Sequence, residues 1–212
     1  CEIAAVSAGR AADRGESAVD EFWKTAYRLR DLLKFEFYFT GKDDFIRDVE
    51  AEMLRLSADW TEVIEGGSDR VARALISRLP LTSPFTLRPF FEAYAITYDV
   101  LTHASEVPER SEVIKQALGL GEQYFAQGMV RTREPVSALL FETALQLAGS
   151  QGLLEEDPER CQRTREGHEE LMRILRQISR VEALAEQAFA DRHHRRSPTG
   201  IGPSNAPWVT DR

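Results

Sequence analysis

The residues best suited to acid–base or metal chemistry are four histidines: His103, His168, His193 and His194. None opens an H-E-x-x-H helix motif, and no C-x-x-C pair accompanies the two cysteines, Cys1 and Cys161. Asp191, His193 and His194 come nearest to a ligand set, but Arg192, Arg195 and Arg196 stand beside them and repel a cation. No metal and no cofactor are therefore expected. A nucleophile fares no better. There is no G-x-S-x-G turn and no glycine-rich phosphate loop, and Ser137 and Ser179 fall within helical patterns. The crowded carboxylates of Asp43, Asp44, Asp48, Glu50 and Glu52 read as the solvated face of a helix.

Two basic groups could meet an anion. Arg131 and Arg133 precede Glu134-Pro135, where a helix is expected to start, and free amides at a helix start favour negative charge. The cluster Arg192, Arg195 and Arg196 could touch anionic lipid headgroups, although cations at a helix C-terminus are also simply stabilising there. The chain as a whole is acidic: 27 Lys and Arg against 35 Asp and Glu give a formal charge of −8. That balance disfavours nucleic acid as a partner.

The elements that would carry these residues read as helices. Phe22, Ala26, Leu29 and Leu33 predict a helix over 18–34, continued through Phe37, and Thr40 with Asp43 fits a capping box for the next. Phe45, Val49, Met53 and Leu56 carry that helix to about Ala58. Gly66-Gly67-Ser68 breaks the chain, and Val71, Leu75 and Leu79 give a short helix closed by Pro80. Pro89 places the start of the next near Arg88, since proline belongs in a first turn. Pro108 precedes a helix containing Gly119 and Gly121, read as points of close helix approach. The helix from Glu134-Pro135 is apolar on most sides and is expected to be the most buried. Asp157-Pro158 starts a long helix to about residue 192, with a stripe from Leu171 through Ala188. The fold class is thus all-α: a multi-helix bundle in one domain over 1–196, then an irregular Gly/Pro/Ser-rich tail over 197–212 that Trp208 could pin to the body.

At the other end, Ser7 to Ser17 reads as a loop, and Glu2 to Val6 as the end of an amphipathic helix. Because the first residue is Cys1, residues 1–16 are read as the join to a missing upstream region; a lipoprotein-type cysteine is the lesser alternative. No apolar run approaches the ~18 residues of a membrane span.

Several strings then stand out in combination. They are Phe22-Trp23-Lys24, Leu29 through Phe37, Leu87-Arg88-Pro89-Phe90-Phe91-Glu92-Ala93-Tyr94, Ala117 through Gly121, Arg131 through Phe141, and Asn205-Ala206-Pro207-Trp208. Their order and spacing resemble the carboxy-terminal region of bacterial glycerol-3-phosphate acyltransferases of actinobacterial type. The resemblance implies a polypeptide that moves an acyl group from a thioester to glycerol 3-phosphate, the first step of phospholipid synthesis, at the cytoplasmic face of the membrane. It implies a His-x-x-x-x-Asp motif, with histidine as general base. This chain has none: the fifth residue after His103 is Pro108, after His168 is Arg173, and after His193 and His194 are Pro198 and Thr199. No Pro-Glu-Gly-Thr block occurs either, so no family catalytic residue carries over. The expectation is an inactive helical module whose partner is the upstream acyltransferase domain of the same polypeptide, with an anionic membrane surface as a further contact. Its docking face is expected along residues 1–8 and around Phe22 and Trp23. Two other readings remain: the ligand-sensing half of a helical transcriptional regulator, and a scaffold dimerising through 168–190.

Overall fold

The computed structural model describes the backbone of residues 1–196 and the side chains of residues 1–190. Nine α-helices make up the described part, with no strand among the described residues. They are α1 (Glu2–Asp13), α2 (Ala18–Leu32), α3 (Lys42–Leu56), α4 (Trp60–Glu65), α5 (Ser68–Ile76), α6 (Ser83–Thr102), α7 (Arg110–Ala126), α8 (Ala138–Ser150) and α9 (Arg160–Arg196). The expectations about the tail, and those resting on the side chains of Asp191 through Arg196, fall outside the described residues.

Two groups of helices share one partner. Helix α1 packs against α2, α4 and α5, helix α6 packs against α7 and α8, and α9 lies along both α1 and α6. The stripe on α9 is therefore intramolecular core: Leu171, Ile174, Ile178, Val181, Ala185 and Ala188 are all buried. Those side chains are taken up within the chain, not offered to a second copy.

Helix α1 overturns the loop expected over Ser7 to Ser17. Its residues from Ile3 to Gly9 are all buried. Ala4, Ala5, Ser7, Ala8, Gly9 and Ala11 are small, so neighbours approach from several sides and no one-sided pattern is left for a period of 3.6 to reveal. A Cβ on Gly9 would stand 2.9 Å from Val71 Cγ2. Buried Ser7 accepts a hydrogen bond from Gln177 Nε2 (3.0 Å) and donates one to Glu21 Oε1 (2.8 Å), so α1, α2 and α9 meet at one hydroxyl.

The expected docking face is consumed in the same way. Phe22 is fully buried, and Trp23 is half-buried in an aromatic group with Phe22 (5.4 Å between centroids) and Trp60 (6.5 Å). Trp60 belongs to α4, a six-residue helix too short to show a period.

Other boundaries move for local reasons. Helix α2, with Ser17 Oγ accepting from the Asp20 amide, stops at Leu32, and residues 33–37 turn instead of continuing. No Thr40–Asp43 capping box forms: the N-cap of α3 is Gly41, with no side-chain cap bond. The cap of α5 comes from far away in sequence. Gly67 at φ 83° holds the N-cap, and the Ser68 amide donates to Asp13 Oδ1 of α1 at 3.1 Å. Ser68, through its side chain first and its amide second, holds the Asp13 carboxyl below the usual carboxylate range.

Helix α6 begins at Ser83, not Arg88, and contains Pro89. A proline there leaves only the Phe85 carbonyl without its partner, and Phe85 sits at an exposed position. Helix α8 starts at Ala138, after a turn from Glu134, and Leu139 is 72% exposed. The most enclosed helices are α1 and α6. Asp157 caps the turn ahead of α9, accepting from the Glu159 amide at 2.7 Å, and the helix itself starts at Arg160.

Glycine divides as its surroundings dictate. Gly121 faces Val136, whose methyls would meet a Cβ at 3.1 Å, whereas Gly119 has nothing within 4 Å. Gly167 lets α9 close on α6, because a Cβ there would stand 2.9 Å from the buried Tyr98 ring. Gly119→Ala should stabilise the chain by up to ~1 kcal/mol through helix propensity. Gly167→Ala should destabilise it by about 1–3 kcal/mol despite the same propensity gain, since the ring cannot yield. Urea unfolding midpoints would check both, and equal shifts would refute the close approach.

Candidate functional site

Helices α6 and α9 run antiparallel: Arg88 meets Glu182 near one end, and Tyr98 meets Gly167 near the other. Between them, roofed by the segment after α7, lies a cleft of about 440 Å³. Ala95, Ile96, Met129, Val130, Met172 and Leu175 supply its apolar walls.

One end of the cleft is an ion network. The Arg88 guanidinium donates from Nε to Glu182 Oε1 (2.7 Å), and from Nη2 to both Glu182 Oε2 (2.5 Å) and Ser179 Oγ (2.7 Å). Its Nη1 donates to Glu92 Oε1 at 3.0 Å. Arg131 Nη1 approaches Glu182 Oε2 at 3.3 Å. Glu182 and Glu92 are 1% and 4% exposed. Two carboxylates this deep are tolerable only because fixed guanidinium donors face them. The match is imperfect, since Glu92 Oε2 has no hydrogen-bond partner. Burial raises the Glu92 carboxyl above its ordinary value, with the Arg88 contact opposing. Burial alone would lower Arg88, but its bonds to Glu182 and Glu92 outweigh that and raise it.

The other end is milder. Tyr124 donates to Asp99, and burial together with that bond pushes its phenol up to about 12. His103 sits beside Asp99, exposed at the end of α6. His168 is half-buried on α9, and desolvation pushes its imidazole down, with Asp99 opposing. No serine, cysteine or threonine stands with His168 as a paired nucleophile among its described hydrogen bonds, and among the described residues no cluster of three or more His, Cys, Asp or Glu is placed to hold a metal.

The anion-binding pair expected from the sequence is differently employed. Arg131 faces Glu182 and Glu186, and Arg133 pairs with Glu122 at 3.2 Å while lying over the Phe125 ring. Carboxylates answer both charges, and neither residue stands at the start of α8. Ser137 is the N-cap position of α8, and Ser179 is held by Arg88. The network of Arg88, Glu92 and Glu182 was missed. Its available signal was the i,i+4 pair Arg88–Glu92 interrupting an apolar stripe; nothing local tied that pair to Glu182.

The fold is thus an all-α module with a substantial core and a cleft, and among the described residues no recognisable catalytic constellation is assembled. Residues 3–157 match the family model for the glycerol-3-phosphate acyltransferase C-terminal region, and the chain belongs to that family. The match begins inside α1, so the helix read as a join is part of the family region. Among curated proteins, one from Mycobacterium bovis designated acyltransferase plsB1 is 29% identical over 187 residues, as are its counterparts in two strains of Mycobacterium tuberculosis. The alignment covers 87% of this chain and 30% of each relative, so the chain spans less than a third of their length. No solved structure matches the chain.

Arg88→Ala should cost about 3–5 kcal/mol, because it strands two buried carboxylates; chemical denaturation would measure it. The pH dependence has a definite sign. A carboxyl raised in the folded state contributes stability that is present below its unfolded value, near 4.3, and lost as pH rises through the folded value. The stability of the native chain relative to Glu92→Gln should therefore fall as pH rises from about 4. A difference independent of pH would show that Glu92 does not titrate there.

Proposed function

We propose that this chain is the non-catalytic helical region of an enzyme that transfers an acyl group from a thioester to glycerol 3-phosphate. The family match over residues 3–157 carries the reading. The name shared by the mycobacterial relatives, acyltransferase, supports the reaction class. The absence of a His-x-x-x-x-Asp motif from the sequence supports assigning catalysis to another part of a longer polypeptide.

In this reading the chain packs on the catalytic domain and steadies it. Phe22 and Trp23, engaged within the core, are not the contact. Tyr38 at 94% exposure and Phe35 at 43%, both in the segment between α2 and α3, are better placed to meet another surface. The complete enzyme would work as a peripheral protein at the cytoplasmic face of the membrane. Among the described residues no helix is long and apolar enough to cross a bilayer.

Purified residues 1–212, supplied with radiolabelled acyl thioester and glycerol 3-phosphate, should form no labelled lipid above background. Turnover would overturn the non-catalytic assignment. Mixing the chain with the catalytic portion of a mycobacterial relative should give a complex by sedimentation, weakened by Phe35→Ser with Tyr38→Ser. No complex, or one indifferent to those changes, would remove the docking surface.

A further inference from the structure

The segment between α7 and α8 leaves α7, reaches over the cleft and comes back to α7. It departs at Gly128, whose φ of 70° suits a glycine. The Met129 and Val130 amides both donate to the Tyr124 carbonyl, at 2.9 and 3.3 Å. Beyond the tip, Arg133 pairs with Glu122 and lies over the Phe125 ring, and Val136 faces Gly121. Tyr124, Glu122, Phe125 and Gly121 all belong to α7. Residues 128–133 are therefore a strap with both ends fastened to one helix.

The tip of the strap meets α6 and α9 through side chains alone. Met129 and Val130 line the cleft. Val130 is 4% exposed and Met129 60%, so one of the two apolar side chains is seated and the other is not. Arg131 Nη1 lies 3.3 Å from Glu182 Oε2 and 3.8 Å from Glu186 Oε1, both on α9. Among the described residues, no backbone hydrogen bond runs from the strap to α6 or α9.

The Arg131 contact is also one that Glu182 can lose. Arg88 still holds that carboxylate, from Nε at 2.7 Å and from Nη2 at 2.5 Å. Arg131 is 52% exposed and Glu186 65%, so water takes up the charges that separate. A half-exposed pair of this kind is weak and is screened by salt. Lifting the tip unseats one valine and parts one ion contact, and it breaks no main-chain bond to the cleft.

We infer that residues 128–133 are a gate on the α6–α9 cleft. The tip lifts as a unit while both ends stay on α7, and Arg131 latches it shut against Glu182 and Glu186. Opening uncovers the inner wall of the cleft, where Ile96 is 2% exposed when the gate is closed. Ionic strength sets how often the gate opens, because the latch is the electrostatic part of the closed state.

The test is the rate of thiol labelling in residues 1–212, with Cys1 and Cys161 first replaced by serine. Val130→Cys reports on the tip and Ile96→Cys on the wall behind it. Ile178→Cys, fully buried on α9 and outside the cleft, reports on global unfolding. The Ile96→Cys chain keeps Val130, so the seat is intact in one of the two gate reporters. Both should label at least about tenfold faster than the Ile178→Cys chain, through local opening. Adding Arg131→Ala should speed both by about twofold to fivefold and leave the Ile178→Cys chain unchanged. Raising salt from about 0.02 to about 0.5 M should act in the same way, but only where Arg131 is present. Equal rates at all three positions would show that only global unfolding frees the tip. Acceleration of all three by Arg131→Ala would show a general loss of stability instead of a released latch. An Ile96→Cys rate indifferent to Arg131→Ala, or a Val130→Cys rate indifferent to both Arg131→Ala and salt, would likewise overturn the inference.

Discussion

A carboxylate buried at the meeting of two helices costs several kcal/mol unless donors are already fixed around it. Glu182, 1% exposed, meets that condition through the fork of Arg88 and the nearby Arg131. This arrangement sets the register of α9 against α6, because a one-turn slip would carry the carboxylate about 5.4 Å from its donors. Apolar packing alone is more forgiving, since leucine and isoleucine stripes accept neighbouring registers. Helix α9 also touches α1, so fixing it on α6 places it on the other helical group. A second polar contact, Gln177 with Ser7, agrees with the same register.

The cleft follows from that placement. Where Gly167 meets Tyr98 the two helices are in close contact, and where Arg88 meets Glu182 charged side chains span the distance between them. Medium-sized side chains lie between these points, and the segment after α7 covers them only partly. The family match assigns this chain to the acyltransferase C-terminal region, but the cleft belongs to the geometry of α6 and α9, and all of α9 lies beyond the residues that the family model matches.

What could be read from the sequence was governed by range. Helices α2, α3, α7 and α9 announced themselves because one face is wet and one dry, which writes a 3.6 period into the residues. Helix α1 was illegible because alanine, serine and glycine allow neighbours on several sides. The start of α6 was misplaced because Pro89 looks like a boundary, although one unpaired carbonyl at an exposed residue is affordable. The end of α2 was misplaced because Phe37 continues a row that the chain abandons by turning. The site was the least legible part. Arg131 and Arg133 looked like anion donors because their carboxylate partners, Glu182 and Glu122, are remote or on another element. The cap on α5 has the same character, with Asp13 reaching Ser68 across 55 positions.

That span of contacts bears on how the chain is made. Arg28 reaches Glu170 across 142 positions, and Ser7 reaches Gln177 across 170. Within this region α1 is made before α9, so the helix that must be covered on the most sides emerges well before its last cover. Until α9 leaves the ribosome, the sides of α1 and α6 that it covers have no permanent neighbour, and loop closure over so long a stretch is slow. A nascent chain in that condition is a natural client for chaperones that hold exposed apolar helices.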